Sequence, residues 1–398
     1  MLKVFHCGDW HPKEKDIEEA RKVLSFQVSQ AAMHQPDLIA IAGDLTDRND
    51  IKFDSQVARL VLDTVSQFSM VAPVAIVTGT KIHDGNIPEL LERVKQDNPV
   101  YVANYPDKIV LTEDGGFSRL GDKRARAIIS FVPTPTKQFF NSTSDIQASD
   151  FELGQAMSAI FAEIGAAAGD YDLPHVMLGH WTVRGAHLSE TQQMIGRDIE
   201  ITVEQLLSAR VTVGCLGHIH MAQQIGNHPF FYCGSAYRKD HGETEDKGFY
   251  IHTISGTELI ESAFIRSPAR KLVRIKADFT KEEPKPLPTP EDVEGAAVRI
   301  DITVWQDERE QINKQSLEET FLSAGADTVA VHITIVPRQN VRAASVLQVE
   351  RLRDKVKARA EMTGDEVSES ILAKCDLIED EPREVVLKQE NGKEKAAA

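Results

Sequence analysis

Five short stations within the first 220 residues constrain this chain more than any other feature. Each pairs a glycine with an acid or histidine: Gly8-Asp9-Trp10-His11, Gly43-Asp44, Gly79 to Asp84 with His83, Gly179-His180, and Gly217-His218-Ile219-His220. Each follows an apolar run that reads as a buried strand, namely Leu2 to Phe5, Leu38 to Ala42, Val74 to Val77, His175 to Leu178 and Val211 to Leu216. In α/β sheets, ligands gather beyond the carboxyl ends of the strands, so the stations are expected to converge on one rim. A lone His-x-His among thirteen histidines reads equally well as surface decoration. Five stations in one structural context argue instead for a metal site.

Between the stations the pattern turns helical. Asp16 to Met33 places Ile17, Ala20, Val23, Leu24 and Val28 on one face, and residues 51–69 do the same with Val57, Leu60, Val61, Val65 and Phe68. A third amphipathic stretch begins at Ile87 and runs to Val94. Residues 1 to about 265 therefore read as a layered α/β domain. Arg126 to Val132 is another apolar strand, but it runs into Pro133-Thr134-Pro135 with no candidate ligand and reads as a supporting strand.

Prolines crowd the stretch from Glu282 to Gly295, which marks a stiff linker. Beyond it, Val298 to Val304 alternates as a half-buried strand, a helix is expected over Lys314 to Ser323, and Val329 to Ile335 alternates again. Two amphipathic helices follow, with Val349, Leu352, Val356 and Ala360 on the first and Val367, Ile371, Cys375 and Ile378 on the second. Thr363-Gly364-Asp365-Glu366 reads as a capping box for the second helix. The pair either packs back on the strand-helix-strand unit or awaits a partner. The resulting division is 1–280 core, 281–294 linker, 295–340 cap, 341–380 helix pair and 381–398 disordered tail.

Cys7, Cys215, Cys233 and Cys375 form no C-x-x-C pair, Met1-Leu2-Lys3 enters a strand directly, and no apolar run is long enough to cross a bilayer. These features point to the cytoplasm. A net charge of −16 repels a polyanion in bulk. Phosphate contact is local, however, and Arg266 to Lys276 carries five bases and no acid. A second basic run, Arg351 to Arg359, reads as a solvated helix face.

Two carboxylates and four histidines exceed what one tetrahedral ion needs, but they suit two ions sharing a carboxylate, with Asp44 the natural bridge. His83 stands beside Asp84, which is expected to hold its second nitrogen. That suits His83 to protonating a leaving alkoxide, the alternative being one more ligand.

The order Asp9-x-His11, Gly43-Asp44, Gly79 to His83-Asp84, His180 and Gly217-His218-x-His220 resembles the calcineurin-like metallophosphoesterases. Further stretches are similar to the SbcD-type nuclease subunits of bacterial SbcCD complexes, relatives of the double-strand-break repair nucleases. These are His180-Trp181-Thr182-Val183 with Gly185-Ala186, Gly234-Ser235-Ala236-Tyr237, Asp240-x-Gly242-Glu243 and Lys247-Gly248-Phe249. The resemblance implies an α/β fold with a layered β-sandwich core flanked by helices, a small β-α-β cap, and a C-terminal helix pair that docks on a coiled-coil ATPase of the SbcC type. It implies two divalent cations, manganese or else magnesium, one on Asp9, His11, Asp44 and His220 and the other on Asp44, His180 and His218. It further implies a homodimer, for which the helices between His34 and Phe68 offer an interface, and exonuclease and single-strand endonuclease action on DNA in repair and recombination, with no membrane partner. Arg238, Lys239, Arg270 and Lys271 are the DNA-contact candidates. The family pattern Gly-Asn-His is broken here: two residues are inserted and the Asn is gone, leaving Thr80, Asn86 or water to complete the second ion. The competing readings are a phosphomonoesterase or cyclic-nucleotide phosphodiesterase on the same core, and a DNA-end scaffold subunit with a weakened second site.

Overall fold

A computed structural model describes residues 1–93, 96–135, 146–189, 192, 200–281, 289–337 and 349–380. Most of the proline-rich linker (282–288) and the whole of the 381–398 tail lie outside the described residues.

Strands that are apolar at every position need cover on both faces, and two stacked sheets with helices outside supply it. The first sheet has the order β15-β14-β1-β2-β3-β4. Its members are β1 (Leu2–Cys7), β2 (Leu38–Ile41), β3 (Val74–Val77), β4 (Val100–Ala103), β14 (Gly248–Ser255) and β15 (Glu258–Arg266). β1 to β4 run parallel, and β14 and β15 close one side antiparallel. The second sheet has the order β12-β13-β11-β8-β7-β5-β6. It comprises β5 (Asp107–Thr112), β6 (Phe117–Ser118), β7 (Ala125–Val132), β8 (His175–His180), β11 (Val213–Gly217), β12 (Gln223–Gln224) and β13 (Phe230–Tyr232). Between β8 and β11, β9 (Thr182–Val183) pairs with β10 (Glu200–Ile201).

The period of two sorts the side chains into layers. Leu2, Val4, Leu38, Ala40, Ala75 and Val77 meet Ile129, Phe131, Val176, Leu178, Val213 and Cys215 between the sheets. Phe5, Ile39, Ile41 and Ile76 face outward, onto Ala20, Val23 and Leu24 of α1 (Ile17–His34) and Val57, Val61 and Phe68 of α2 (Gln56–Ser69). α3 (Ile87–Arg93) adds Leu91 to that layer. On the opposite outer face, Met177 and Leu216 meet Met157, Phe161 and Ile164 of α4 (Ile146–Ala168) and Leu206 of α5 (Val203–Leu207). Helix α2 begins later than its apolar pattern because Ser55 caps it, its hydroxyl accepting from Ala58 N at 3.1 Å.

One polar chain crosses the inter-sheet layer. His6 Nε2 donates to the Leu216 carbonyl at 3.2 Å, His252 Nε2 donates to His6 Nδ1 at 3.2 Å, and Ser262 Oγ meets His252 Nδ1 at 2.7 Å. Every ring nitrogen is engaged, and burial holds the His6 imidazole neutral by lowering its pKa to about 3.

The chain divides into two compact units, the larger carrying both core sheets. A third sheet has the order β16-β17-β18, from β16 (Lys271–Asp278), β17 (Ala296–Trp305) and β18 (Thr328–Val336), with α6 (Lys314–Ser323) between the last two in sequence. The smaller unit holds α7 (Leu352–Thr363) and α8 (Glu369–Asp380). Arg353 on α7 pairs with Asp376 at 2.5 Å and with Glu369 at 3.2 Å. The second helix does not begin at Thr363-Gly364 as expected. Gly364, at φ 74°, closes α7 in a left-handed turn, its N–H returning to Ala360 O, and α8 starts five residues later at Glu369.

Phe131 fills the inter-sheet layer at 0% exposure. Phe131→Ala is expected to cost about 3–5 kcal/mol, seen as a lower urea midpoint with an unchanged slope.

Candidate metal centre

The loops after β1, β2 and β3 in one sheet and after β8 and β11 in the other meet at a common edge. Their backbones are bent to do so: Asp9, His11, Asp44 and His218 have φ of 47°, 41°, 51° and 90°. Such left-handed conformations cost non-glycine residues free energy and persist only where the surroundings enforce them. Here Asp9 N donates to Gly43 O at 2.9 Å and Trp10 N to Asp44 O at 3.0 Å. The Asp9 carboxylate accepts from His218 N at 3.0 and 2.9 Å, tying the two sheets together at the rim. Gly217 is required by the same approach, since a Cβ there would run into the Ala42 carbonyl and lie 2.9 Å from His180 Nδ1.

Two groups of donors result, Asp9 with His11 and His220, and Asp44 with His180 and His218; within each the donor atoms lie within 4.8 Å of one another. Asp44 stands between them, Oδ2 lying 3.4 Å from His11 Nε2 and 3.2 Å from His180 Nε2. His180 Nδ1 donates to the Ala42 carbonyl at 2.6 Å, which turns Nε2 toward the rim, 3.2 Å from Asp44 Oδ2. Both His11 ring nitrogens and His180 Nε2 are buried without a hydrogen-bond partner. Buried unpaired imidazoles beside buried carboxylates are costly alone and are the donor set that borderline divalent cations take, so these residues fit metal ions.

The electrostatics agree. Burial, then the nearby Asp44 charge, outweighs the pull of His180 and pushes the Asp9 carboxyl up to about 8. Burial opposes charge on His180, but Asp44 and Asp9 override it and raise the imidazole to about 10. Asp44 is held well below its usual range: burial raises it, and His180 and His11 more than reverse that. His11 and His220 are kept well below theirs by burial and by the Lys239 charge.

His83 is partly exposed, its Nε2 4.0 Å from Asp44 Oδ2, and its ring packs edge-on against His11 at 4.5 Å. Its partner differs from the expected one. His83 Nδ1 donates to the Asp47 carbonyl at 2.7 Å, while Asp84 turns away and accepts backbone amides from Gly79 (2.6 Å), Leu45 (2.6 Å) and Asp44 (3.1 Å). The reason is the turn itself: His83 and Asp84 N both return to Thr80 O, which rolls the acid beneath the loop. Thr80 N and Oγ1 donate to Asp44 Oδ1 at 2.7 and 3.1 Å, and Asn86 lines a neighbouring cavity.

Four further residues hold the His218-Ile219-His220 turn. Gln192 donates to His218 O at 2.6 Å and accepts from His220 N at 2.9 Å. Lys247, fully buried, donates to His220 O at 3.0 Å and pairs with Glu243 and Glu245 at 2.7 and 2.8 Å. Glu243 and Lys247 belong to the motifs Asp240-x-Gly242-Glu243 and Lys247-Gly248-Phe249; nothing in the sequence marks Glu245 or Gln192. Of the cationic candidates, Lys239 Nζ lies 3.2 Å from His220 Nε2, and Arg238 donates to the Glu245 carbonyl at 2.9 Å. Arg270 and Lys271 instead face Asp16 and Asp292, as Arg274 faces Asp301 at 2.7 Å.

The family model described as calcineurin-like phosphoesterase matches residues 2–222. The chain is 24% identical over 296 residues to a Staphylococcus epidermidis protein named as the SbcD component of nuclease SbcCD, covering 70% of this chain and 73% of that one. It is 22% identical over 290 residues to the protein of the same name from Staphylococcus saprophyticus, with 70% and 72% covered. Among solved structures, a dimetal phosphatase from Danio rerio aligns at a TM-score of 0.40 and 11% identity, over 67% of this chain and 98% of that one.

At pH 7 the metal-free rim retains protons, because the Asp9 and His180 values of about 8 and about 10 both lie above it. A cation seated on these donors expels them, so affinity rises with pH through neutrality. Calorimetric titration with Mn2+ in two buffers of different ionisation enthalpy is expected to report at least about one proton released. Identical heats in both buffers would contradict this.

Proposed function

The chain belongs to the calcineurin-like phosphoesterases, their model matching residues 2–222, and on that membership we propose a metal-dependent DNA nuclease, the nuclease subunit of an SbcCD-like complex. The observation that carries the reading is the pair of donor groups meeting on Asp44, with unpartnered ring nitrogens turned into the rim. The names of the two staphylococcal relatives support the substrate class.

In this reading Asp9, His11, Asp44 and His220 hold one ion and Asp44, His180 and His218 the other, manganese being the preferred metal. When bound, two such ions stabilise the attacking and leaving oxygens of a phosphoryl displacement and activate water. The protein supplies the rest. Thr80 pins one Asp44 oxygen and leaves the other free to bridge. Asp84 fixes the loop carrying Asp44 and His83 through three amides, which makes it a positioning residue. With Nδ1 committed to Asp47 O, His83 can deliver a proton only from Nε2, the atom facing the rim, as a leaving alkoxide requires. Lys239 is the cation best placed for a scissile phosphate, and Arg238 orders its loop.

The partner and domain assignments form part of the same proposal: core 1–280, cap 295–340, helix pair 341–380. On α8, Leu372 and Cys375 are buried while Ile371, Leu377 and Ile378 are 48%, 43% and 50% exposed. Such an apolar surface supports docking of an SbcC-like ATPase. Exposed Met33, Phe53 and Met70 likewise support a homodimer through the α1–α2 region. No helix among the described residues is long and apolar enough to cross a membrane. One observation favours the weakened-scaffold reading: Thr80, which stands nearest the missing Asn, spends its hydroxyl on Asp44.

With Mn2+, the protein is expected to degrade linear duplex DNA, to nick single strands, and to prefer an aryl phosphodiester to the monoester. His83→Ala is expected to slow cleavage by about 10²–10⁴-fold with metal stoichiometry unchanged. A variant that cuts like the parent removes the proton-donor role; preference for the monoester removes the nuclease reading.

A further inference from the structure

Beside the rim lies an open cavity of about 680 Å³ that the hydrolytic chemistry does not use. Gly79 and Asp84 form its inner wall, and the same two residues bind each other and the Asp44 loop, so cavity and metal centre share a partition. The turn carrying Lys81 and Ile82 builds its flank. Asn49 N donates to Ile82 O at 2.9 Å and Asn49 Nδ2 to Lys81 O at 3.0 Å, which fixes that turn in place.

The lining chooses among ligands. Lys81 is the one cationic residue among the described lining residues, against the acids Asp84 and Glu89, so a second phosphate would meet net negative charge. Asn86 offers an amide donor and acceptor and Asn49 its carbonyl oxygen, while Thr134, whose hydroxyl donates to the His180 carbonyl at 2.9 Å, offers an acceptor. Asn104 Nδ2 is fixed by Glu89 at 2.8 Å, leaving its carbonyl oxygen to accept. Tyr105, 55% exposed, supplies an aromatic face at the mouth. Amide edges that pair with base edges, together with a ring on which a base stacks, are the means by which proteins hold an unstacked nucleobase. The volume lies within the range of small-ligand sites.

Resting on the nuclease reading above, we propose that this cavity is a nucleobase subsite: it receives the base of the nucleotide flanking the scissile phosphate, stacked on Tyr105 and read by Asn49, Asn86 and Asn104. A base in a duplex must leave its stack to enter, at a cost of a few kcal/mol that is smallest for an unpaired base. The subsite therefore favours frayed ends and single strands.

The test uses the full-length protein with Mn2+ and single-stranded oligonucleotides carrying one abasic residue at each position in turn. The parent is expected to lose about tenfold in kcat/KM at the bond beside the abasic residue and nothing at distant bonds, the low end of what base stacking contributes. Tyr105→Ala and Asn86→Ala, checked for folding by their unfolding midpoints, are expected to lose a similar factor on intact DNA and to show no further loss beside the abasic residue. Equal cleavage of intact and abasic bonds by the parent overturns the subsite, as do variant and abasic losses that multiply. If the parent hydrolyses an aryl phosphodiester yet leaves every oligonucleotide uncut, the nuclease reading falls and the subsite with it.

Discussion

The structure turns on one buried carboxylate. Asp44 sits at the end of β2 with 2% exposure, between His11 and His180, and beside Asp9 at 0%. Taking such charges out of water is expensive unless opposite charge or hydrogen bonds replace the lost hydration. Thr80 serves one oxygen, and the other faces the His11 and His180 imidazoles at 3.4 and 3.2 Å. The rest of the molecule is the framework that keeps this arrangement from relaxing: two sheets clamped by a buried apolar layer, and strained backbone at Asp9, His11, Asp44 and His218.

That framework was legible in the sequence where burial is two-sided. Parallel strands covered on both faces leave unbroken apolar runs, so β1, β2, β3, β8 and β11, and the stations after them, could be read directly. Helix α6 falls on its expected span because its flanking strands alternate cleanly. An apolar run does not say which sheet its strand joins, however. The five stations were expected on one rim; that rim is shared by two facing sheets, three stations coming from the first and two from the second.

Side chains that serve the backbone were the least legible. Asp84 follows His83 in sequence, which suggested a carboxylate-imidazole pair, yet three main-chain amides compete for it and hold it. Gln192 and Lys247 hold the turn that carries His218 and His220 through its main-chain groups, and a contact to a carbonyl or amide leaves no paired residue type to find. The charge balance of the basic run from Arg266 to Lys276 was hidden for a related reason. The acids that pair with Arg266, Arg270, Lys271 and Arg274 are all distant in sequence. The turn from Thr80 to Asp84, by contrast, rolls Asp84 under the loop and walls the neighbouring cavity.

The central claim is that Asp44 bridges two cations. Anomalous scattering from Mn2+-soaked crystals tests it most directly. Two peaks are expected about 3.5–4 Å apart with the Asp44 carboxylate between them, one peak against Asp9, His11 and His220 and the other against His180 and His218. A single peak, or peaks lying away from Asp44, would contradict it.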